Sequence, residues 1–308
     1  MPPIELVQPT GQPAVDDYLS GLIAIFELAF PGRVRAYYLA GSFATGDAVA
    51  SSDIDFRAVF QGDFAPGEAE QVGRLRDSCA RISAFQLDMP VRCEADYLSG
   101  AEDPLALKTA SLLLFGTDIR DQLVVPPLDY YTRMITGAPY RNLARWLRRS
   151  PIIRYPLDYP DPAGEFYGYD VGGDTKQFVG AIGWAATGLL VLDAGQYVAR
   201  KSAWLDLYRQ HIADEWLPTL AAIYGRCRVD WAYAIPADAA GRAELRELCR
   251  QALAFENHYL ERYRAYLLGL LSGADPDARG WALERLALVL YPDAEIAAAI
   301  RAAGTPAN

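Results

Sequence analysis

The sequence predicts two domains: an α/β domain in which helices flank a mixed sheet, and then an all-α helical domain. Apolar strand-like runs alternate with helical segments in the first part of the chain, whereas from Leu128 onward only helical periodicity recurs. The proline pair Pro126-Pro127 separates the two patterns. We therefore place the first domain at residues 1–126 and the second at residues 127–308.

The composition is that of a globular chain with a buried core. The chain has 308 residues, of which 52% are hydrophobic, enough for one large or two ordinary domains. A formal net charge of −10 and a pI of about 4.8 argue against a nucleic-acid partner held by phosphate neutralisation, and suit a cationic small molecule. An acidic surface that only aids solubility explains the same charge, so composition leaves both interpretations open.

The spacing of the cysteines and the length of the apolar runs argue against a zinc site, a disulfide framework and a membrane-spanning segment. The four cysteines show no CxxC or Cys/His spacing, so neither a zinc site nor a disulfide framework is indicated, and we expect reduced core thiols. The N-terminus lacks a basic segment followed by an apolar one, and no apolar run approaches the ~18 residues that span a bilayer. We expect a cytoplasmic protein without a membrane partner; the oligomeric state stays open.

The first elements follow from their apolar spacing. Apolar side chains recur at helical spacing over residues 15–30. Val34–Ala40 is an apolar run that predicts a buried strand, and a glycine-serine pair turns the chain after it. Residues 43–49 are predicted to form a short helical piece, and residues 53–60 the next strand.

Three further elements complete the predicted first domain. Residues 66–80 are predicted to form a helix, and residues 82–91 a third strand in which Asp88 faces away from its apolar neighbours. From residue 103 the pattern predicts a helix that ends at Gly116, a residue type favoured at the C′ position of helices. Lys108, on this helix, is interpreted as structural.

The second domain is predicted to contain helices only. Their expected bounds are 128–149, 175–193, 196–225, 241–271, 280–290 and 293–302.

One long segment, residues 151–175, interrupts these helices. It combines prolines and glycines with aromatic and acidic side chains, and a loop of this length in a compact chain is usually functional. Carboxylates pair with ammonium groups and tyrosine faces attract cations, which predicts contacts with a cationic acceptor. The candidate residues are Asp158, Glu165, Asp170 and Asp174. A surface lid with solvated acids is the alternative.

Two carboxylates open the strand at residues 53–60 and carry the main functional signal. Strand geometry puts Asp53, Asp55 and Arg57 on one face. Magnesium requires oxygen ligands, and two divalent cations ~3.5–4 Å apart can neutralise the charge that develops in nucleotidyl transfer. Gly41 and Ser42 offer backbone N–H groups and a hydroxyl for phosphates. Together they predict a metal-dependent nucleotide site.

A third carboxylate, Asp88, can complete this set on a neighbouring strand. It can act as a metal ligand or take the proton from an incoming hydroxyl, and the sequence does not separate these roles. Arg57 is interpreted as a partner that neutralises the aspartates, with a phosphate contact as the alternative. Lys201 lies near a helix start and is either a triphosphate contact or a solvated lysine.

The three-part pattern of Gly41-Ser42, Asp53-Ile54-Asp55 and a later apolar-Asp-apolar triplet resembles the signature of the DNA polymerase beta superfamily of nucleotidyltransferases. Phrases in the later sequence, such as Phe115-Gly116-Thr117-Asp118-Ile119-Arg120, resemble the aminoglycoside adenylyltransferases that modify streptomycin- and spectinomycin-type hydroxyls. The resemblance implies a two-domain enzyme that uses ATP and Mg²⁺ and holds the antibiotic between its domains. Asp88 stands where the streptomycin enzymes have glutamate.

By this resemblance, Gly41 and Ser42 would hold phosphates, and Asp53 and Asp55 would hold metals. The predicted function is transfer of AMP from ATP to a hydroxyl of a small cationic acceptor, an aminoglycoside-type antibiotic. Two alternatives remain: an adenylyltransferase that acts on a protein or tRNA, and a non-catalytic nucleotide sensor.

Overall fold

The computed structural model describes residues 4–49, 52–99, 104–158, 164–292 and 294–303. The chain divides into two compact units, of which the first contains Met1–Pro127 together with Ala199–Ser202. The second contains Leu128–Val198 and Ala203–Asn308. The sequence-based division assigned residues 199–202 to the second domain, whereas their contacts group them with the first unit.

The first unit is a mixed sheet with flanking helices, as predicted. Its elements are α1 (Pro13–Ala29), β1 (Val34–Ala40), α2 (Gly41–Thr45), β2 (Ile54–Phe60), α3 (Glu68–Ile82), β3 (Leu87–Asp88), β4 (Arg92–Cys93), α4 (Glu94–Leu98), α5 (Pro104–Thr109), β5 (Leu112–Gly116) and a 3-10 turn at Arg120–Gln122. The strand order is β3-β2-β1-β5, with β4 also pairing with β2. β1 is antiparallel to β2 and β5, while β2 is parallel to β3 and β4.

The predictions for α1, β1 and β2 are confirmed. Residues of α1 at helical spacing, among them Leu19, Ile23 and Phe26, are buried in the same core cluster as Phe56 of β2. Burying such an apolar stripe is what stabilises a helix on a sheet, since each large side chain contributes roughly 1.5–3 kcal/mol.

The predicted helix at residues 103–116 is wrong in its second half. α5 ends at Thr109, and residues 112–116 form β5, which pairs with β1. Gly116 has φ 92° and is not a helix terminus; a Cβ there would lie 2.4 Å from the carbonyl oxygen of Arg35. Glycine at this position therefore permits the close approach of two strand backbones.

The predicted strand at residues 82–91 is also largely wrong. α3 continues to Ile82, which is 82% exposed, and only Leu87–Asp88 forms a strand. Pro90 follows almost at once and has no N–H to donate to a strand partner, which accounts for the short length of β3.

The second unit is predominantly helical. Its elements are α6 (Leu128–Asn142), which continues as a π-helical turn at Leu143–Arg148, β6 (Ile153–Arg154), α7 (Lys176–Ala194), α8 (Trp204–His211), α9 (Leu217–Ile223), a π-helical stretch at Tyr224–Asp230, α10 (Ala239–Ser272), α11 (Pro276–Leu286), β7 (Val289–Leu290) and α12 (Ala294–Ala303). A 3-10 turn at Lys201–Ala203 precedes α8.

Two predictions for this unit need correction. The unit is not all-α, because β6 pairs in parallel with β7, which replaces the end of the predicted 280–290 helix. The predicted 196–225 helix is broken after α8, where Ala213 has φ 49° and the Asp214 carboxylate accepts a hydrogen bond from the backbone N–H of Trp216. The predictions for α6, α7, α10 and α12 are confirmed within a few residues.

α7 is the central helix of the second unit. Most of its residues are buried, and Gly188 lets it approach α10 so closely that a Cβ there would lie 2.5 Å from the Tyr259 ring. By length and composition α7 is the one described helix apolar enough to cross a membrane, which the sequence-based expectation had missed. Because 67% of its most apolar window is buried among other elements, its apolar character matches that of a core helix.

Candidate functional site

The candidate site begins where β1 turns into α2. Gly41 has φ 66°, a left-handed conformation that favours glycine, and it starts the five-residue helix α2. A Cβ on Gly41 would lie 1.8 Å from Oδ2, 2.7 Å from Cγ and 3.2 Å from Cβ of Asp55. The carboxylate of Asp55 therefore rests against the bare Cα of Gly41, and this contact holds the glycine-serine turn beside the acidic strand.

β2 and β3 bring two of the predicted carboxylates together. Asp55 and Asp88 are register partners on neighbouring parallel strands. The Asp55 side chain is 14% exposed and the Asp88 side chain 56% exposed. One carboxylate is thus held in the protein and the other faces solvent.

Arg57 connects these two carboxylates. One of its guanidinium nitrogens lies 3.5 Å from Oδ1 of Asp55 and 3.7 Å from Oδ2 of Asp88. The other donates to the carbonyl oxygens of Phe56 and Asp88, at 3.1 and 3.2 Å. Arg57 was predicted to neutralise Asp53 and Asp55. The ion pair with Asp55 is confirmed, and the structure adds Asp88 to the partners of Arg57.

Asp53 lies one residue before β2 begins at Ile54. Along residues 53–58 half-buried and buried residues alternate, with Ile54, Phe56 and Ala58 in the core, so the predicted two-faced strand is confirmed. Within the described ranges, no group of three or more His, Cys, Asp or Glu side chains is arranged to hold a metal ion. The three-carboxylate metal site therefore stays a prediction, of which the structure shows Asp55 and Asp88 as register partners.

The far side of α2 is fixed by a residue from much later in the chain. Asp47 Oδ2 accepts hydrogen bonds from the hydroxyls of Thr45, at 2.7 Å, and of Ser202, at 2.5 Å. Ser202 follows Lys201, and both belong to the segment that groups with the first unit. This brings the backbone of Lys201 to the α2 region. Sequence reasoning missed Asp47 and Ser202, because a contact over 155 positions leaves no local signal.

The Ser42 hydroxyl makes no hydrogen bond to any other described part of the chain, whereas its backbone carbonyl accepts from the N–H groups of Gly46 and Asp47. The predicted phosphate contacts at Gly41 and Ser42 therefore start from a turn whose backbone is fixed and whose hydroxyl is available.

On β1 the side chain of Tyr38 is buried in a second core cluster of the first unit, and polar groups fix its hydroxyl there. The Tyr38 hydroxyl donates to Oδ1 of Asp118 at 2.9 Å and accepts from the backbone N–H of Ile119 at 2.7 Å. Arg120 pairs with the same carboxylate, and its hydrogen bonds are the main cause that lowers the pKa of Asp118 to about 2. Lys108 donates to two backbone carbonyls nearby, so its structural interpretation is confirmed.

The predicted acceptor contacts in residues 151–175 have different surroundings, and residues 159–163 lie outside the described parts. Glu165 pairs with Arg242 and, at 2.8 Å, with Arg246; hydrogen bonding to Arg242 is the main cause that lowers its pKa. Asp174 Oδ1 accepts from the backbone N–H of Lys176 at 2.9 Å, at the start of α7. Asp158 is exposed and Asp170 half-buried.

Two aromatic side chains of this segment, those of Phe166 and Tyr169, are part of the core. Phe166 and Tyr169 are 2% and 1% exposed. The guanidinium of Arg242 lies 5.1 Å from the Phe166 ring centre, and that of Arg148 lies 5.1 Å from the Tyr169 ring centre. An arginine of the protein thus lies over each of these two buried rings, and the predicted contacts with a cationic acceptor stay a prediction.

Comparison with known proteins gives no family assignment. No protein-family model matches the chain. No curated protein sequence matches it either. Among solved structures, a spectinomycin adenyltransferase from Enterococcus faecialis, determined with ATP and spectinomycin, is similar over 78% of this chain and 98% of that chain, with 11% sequence identity and a TM-score of 0.47. At that level of similarity the function has to be inferred from the site itself.

Proposed function

We propose that this chain is an ATP- and Mg²⁺-dependent nucleotidyltransferase, which transfers AMP to a hydroxyl of a small cationic acceptor of the aminoglycoside type. The observation that carries the proposal is the contact of Gly41 with the Asp55 carboxylate. A phosphate-binding turn and a metal-binding carboxylate must be adjacent for nucleotidyl transfer, because a cation held by the carboxylate would have to neutralise charge on the phosphates.

The carboxylates fit the requirements of Mg²⁺. This cation commonly binds through one or two protein carboxylates and completes its coordination with water and substrate phosphates. Asp55 and Asp88 provide two carboxylates in register, and Asp53 precedes them on the same face. When bound, Mg²⁺ would neutralise charge on the triphosphate.

In this proposal, residues of the site bind the triphosphate and the metal, and one of them accepts a proton from the acceptor hydroxyl. We assign Gly41, Ser42 and Lys201 to the triphosphate, and Asp53 and Asp55 to the metal. The acceptor hydroxyl attacks the α-phosphorus, the bond to the bridging oxygen breaks, and pyrophosphate leaves. Asp88, whose side chain is 56% exposed and lies 3.7 Å from Arg57, would either complete the metal site or receive the hydroxyl proton.

The acceptor is the less constrained half of this proposal. The net charge of −10 favours attraction of a polycation. Asp158, Glu165, Asp170 and Asp174 are proposed as its contacts, although Glu165 is already neutralised by two arginines.

Turnover by two variants tests the assignment. The full chain is incubated with ATP, Mg²⁺ and a panel of aminoglycosides, and each drug is examined by mass spectrometry for an added AMP. We expect Asp53→Asn and Asp55→Asn each to lower turnover at least a hundredfold while the far-UV spectrum is unchanged, because each removes metal-binding charge. The matched control is Asp206→Asn, a charge-equivalent change at a side chain that is 83% exposed on α8.

Other outcomes would replace the proposal. Wild-type turnover by either variant would move the metal site elsewhere. Label on a protein or tRNA instead of a drug would make the chain an adenylyltransferase of macromolecules. ATP binding by calorimetry without pyrophosphate release for any acceptor would make it a nucleotide sensor.

A further inference from the structure

The second unit contains a cavity of about 620 Å³. It lies beside the C-terminal half of α6 and the turn that follows, with α7 on one side. Its lining includes Tyr140, Arg141, Asn142, Arg149, Ser150 and Trp184. The volume is within the range of small-molecule sites.

Two cationic groups line this cavity without an anionic partner. Within the described residues, neither Arg141 nor Arg149 forms an ion pair or hydrogen bond through its guanidinium. A chain with a net charge of −10 has a surplus of carboxylates to pair with them, as Arg226 pairs with Asp230 and Glu244. Two unpaired guanidinium groups at one cavity therefore favour an anion.

A third arginine increases the positive potential around this cavity. Arg285 lies near enough to Arg141 to repel it, and this repulsion, after desolvation by neighbouring protein atoms, lowers the pKa of Arg141. Nε of Arg285 is itself buried and has no hydrogen-bond partner among the described residues. Adding a bound anion would relieve the repulsion between Arg141 and Arg285.

The backbone at Arg149 is held in an uncommon conformation. Arg149 has φ 49° directly after the π-helical turn, and its backbone N–H lies near the end of that helix as a left-handed cap. Glycine is the residue type that normally occupies this conformation. Arg149 thus has a long charged side chain at a position whose backbone conformation favours glycine. Residues held in such conformations are often functional.

The remaining polar groups of the lining are largely occupied by internal hydrogen bonds. The Tyr140 hydroxyl donates to the carbonyl of Pro151, and the Ser150 hydroxyl donates to the carbonyl of Ile152 at 2.8 Å. These bonds fix the wall and leave the guanidinium N–H groups as the free donors. Trp184 is half-buried on α7 and gives the cavity an aromatic side.

We propose that this cavity binds a small organic dianion, a phosphomonoester or a dicarboxylate attached to a flat ring, with Arg141 and Arg149 on the anionic groups and Trp184 on the ring. This ligand class is opposite in charge to the acceptor proposed above, so the inference does not depend on the nucleotidyltransferase proposal. Guanidinium groups bind phosphate and carboxylate oxygens in the same forked geometry, which is why the two dianions are treated as one chemistry.

Calorimetry on the full chain tests this site with phenyl phosphate and phthalate as the probes. Saturable binding of at least one probe is expected, together with a change in tryptophan fluorescence. Arg149→Gly and Arg141→Gln should each raise the Kd at least tenfold. Arg149→Gly is informative because glycine suits the backbone there, so the thermal midpoint should not fall. Arg209→Gln, which removes an exposed ion-paired arginine on α8, is the charge-matched control.

The two probes distinguish the source of the anion, since tighter binding of one identifies phosphate or dicarboxylate as the preferred group. Three results would overturn the proposal. One is the absence of saturable binding by both probes. Another is a Kd that changes as much in Arg209→Gln as in the two cavity variants. The third is binding of benzylamine, a cation of similar size, as tightly as the dianions.

Discussion

Gly41→Ala tests the contact on which the candidate site depends. Alanine at φ 66° costs about 1 kcal/mol of stability, because the left-handed region penalises a Cβ. The new methyl group would also meet Oδ2 of Asp55 at 1.8 Å and Cγ at 2.7 Å. Relief requires that the Asp55 side chain rotates away or that β2 shifts, an overpacking cost of about 1–3 kcal/mol.

The loss of activity should exceed the loss of stability. Either form of relief moves the Asp55 carboxylate by more than an ångström from the glycine-serine turn, and a misplacement of that size costs about a hundredfold in rate. We expect Gly41→Ala to lower the free energy of unfolding by about 2–4 kcal/mol, measured with urea. Turnover, measured as pyrophosphate release, should fall a hundredfold or more.

Gly46→Ala is the matched control for this experiment. Gly46 ends the same short helix with φ 77°, but a Cβ there would have nothing within 4 Å. It therefore has the backbone penalty of about 1 kcal/mol without the clash. In an Asp55→Ala background the cost of Gly41→Ala should fall to the same value, giving a coupling energy of about 1–3 kcal/mol in a double-mutant cycle. If Gly41→Ala keeps the turnover of Gly46→Ala, the contact has no role in positioning the carboxylate.

Two further predictions concern stability. Gly116→Ala should lower the free energy of unfolding by about 3 kcal/mol or more in urea, because its Cβ would meet the Arg35 backbone, which cannot rotate away; a loss near 1 kcal/mol would contradict the close strand approach. Burial raises the pKa of Glu256 to about 7 against partial lowering by Arg148 and Tyr169, so the stability that its neutral carboxyl provides is present below about pH 4.5 and lost as the pH rises to about 7. Glu256→Gln should flatten this dependence by up to about 3 kcal/mol in unfolding measured across that range, and an unchanged pH profile would contradict the assignment.

The sequence correctly predicted β2, whose two faces differ in burial, and missed β5, whose two faces are both apolar. β2 alternates core and half-buried residues, so its strand period was readable. β5 is apolar on both faces: Leu113 and Leu114 are buried in different core clusters. A short continuous apolar run fits a helix as well as a strand, and length alone did not separate them.

The candidate site was predicted to the same partial extent. Gly41 and Asp55 were found because a turn and a carboxylate lie close in sequence, and Asp88 because of its apolar flanks. The link through Arg57 to Asp88 needed the parallel pairing of β2 and β3, which no local pattern gives. The ion pairs of Glu165 were not predicted for a related reason, since the arginines that form them are on α10, far along the chain.

Residues 199–202 belong to the first unit, so the folding of that unit depends on a segment that is synthesised late. Ser202, which holds Asp47 beside α2, is synthesised only after α6 and α7. During translation, Asp47 therefore cannot form its hydrogen bond with Ser202 until residues 199–202 have been synthesised. In the full-length chain, Ser202→Ala would remove this hydrogen bond, and limited proteolysis near α2 would report whether the bond protects the turn.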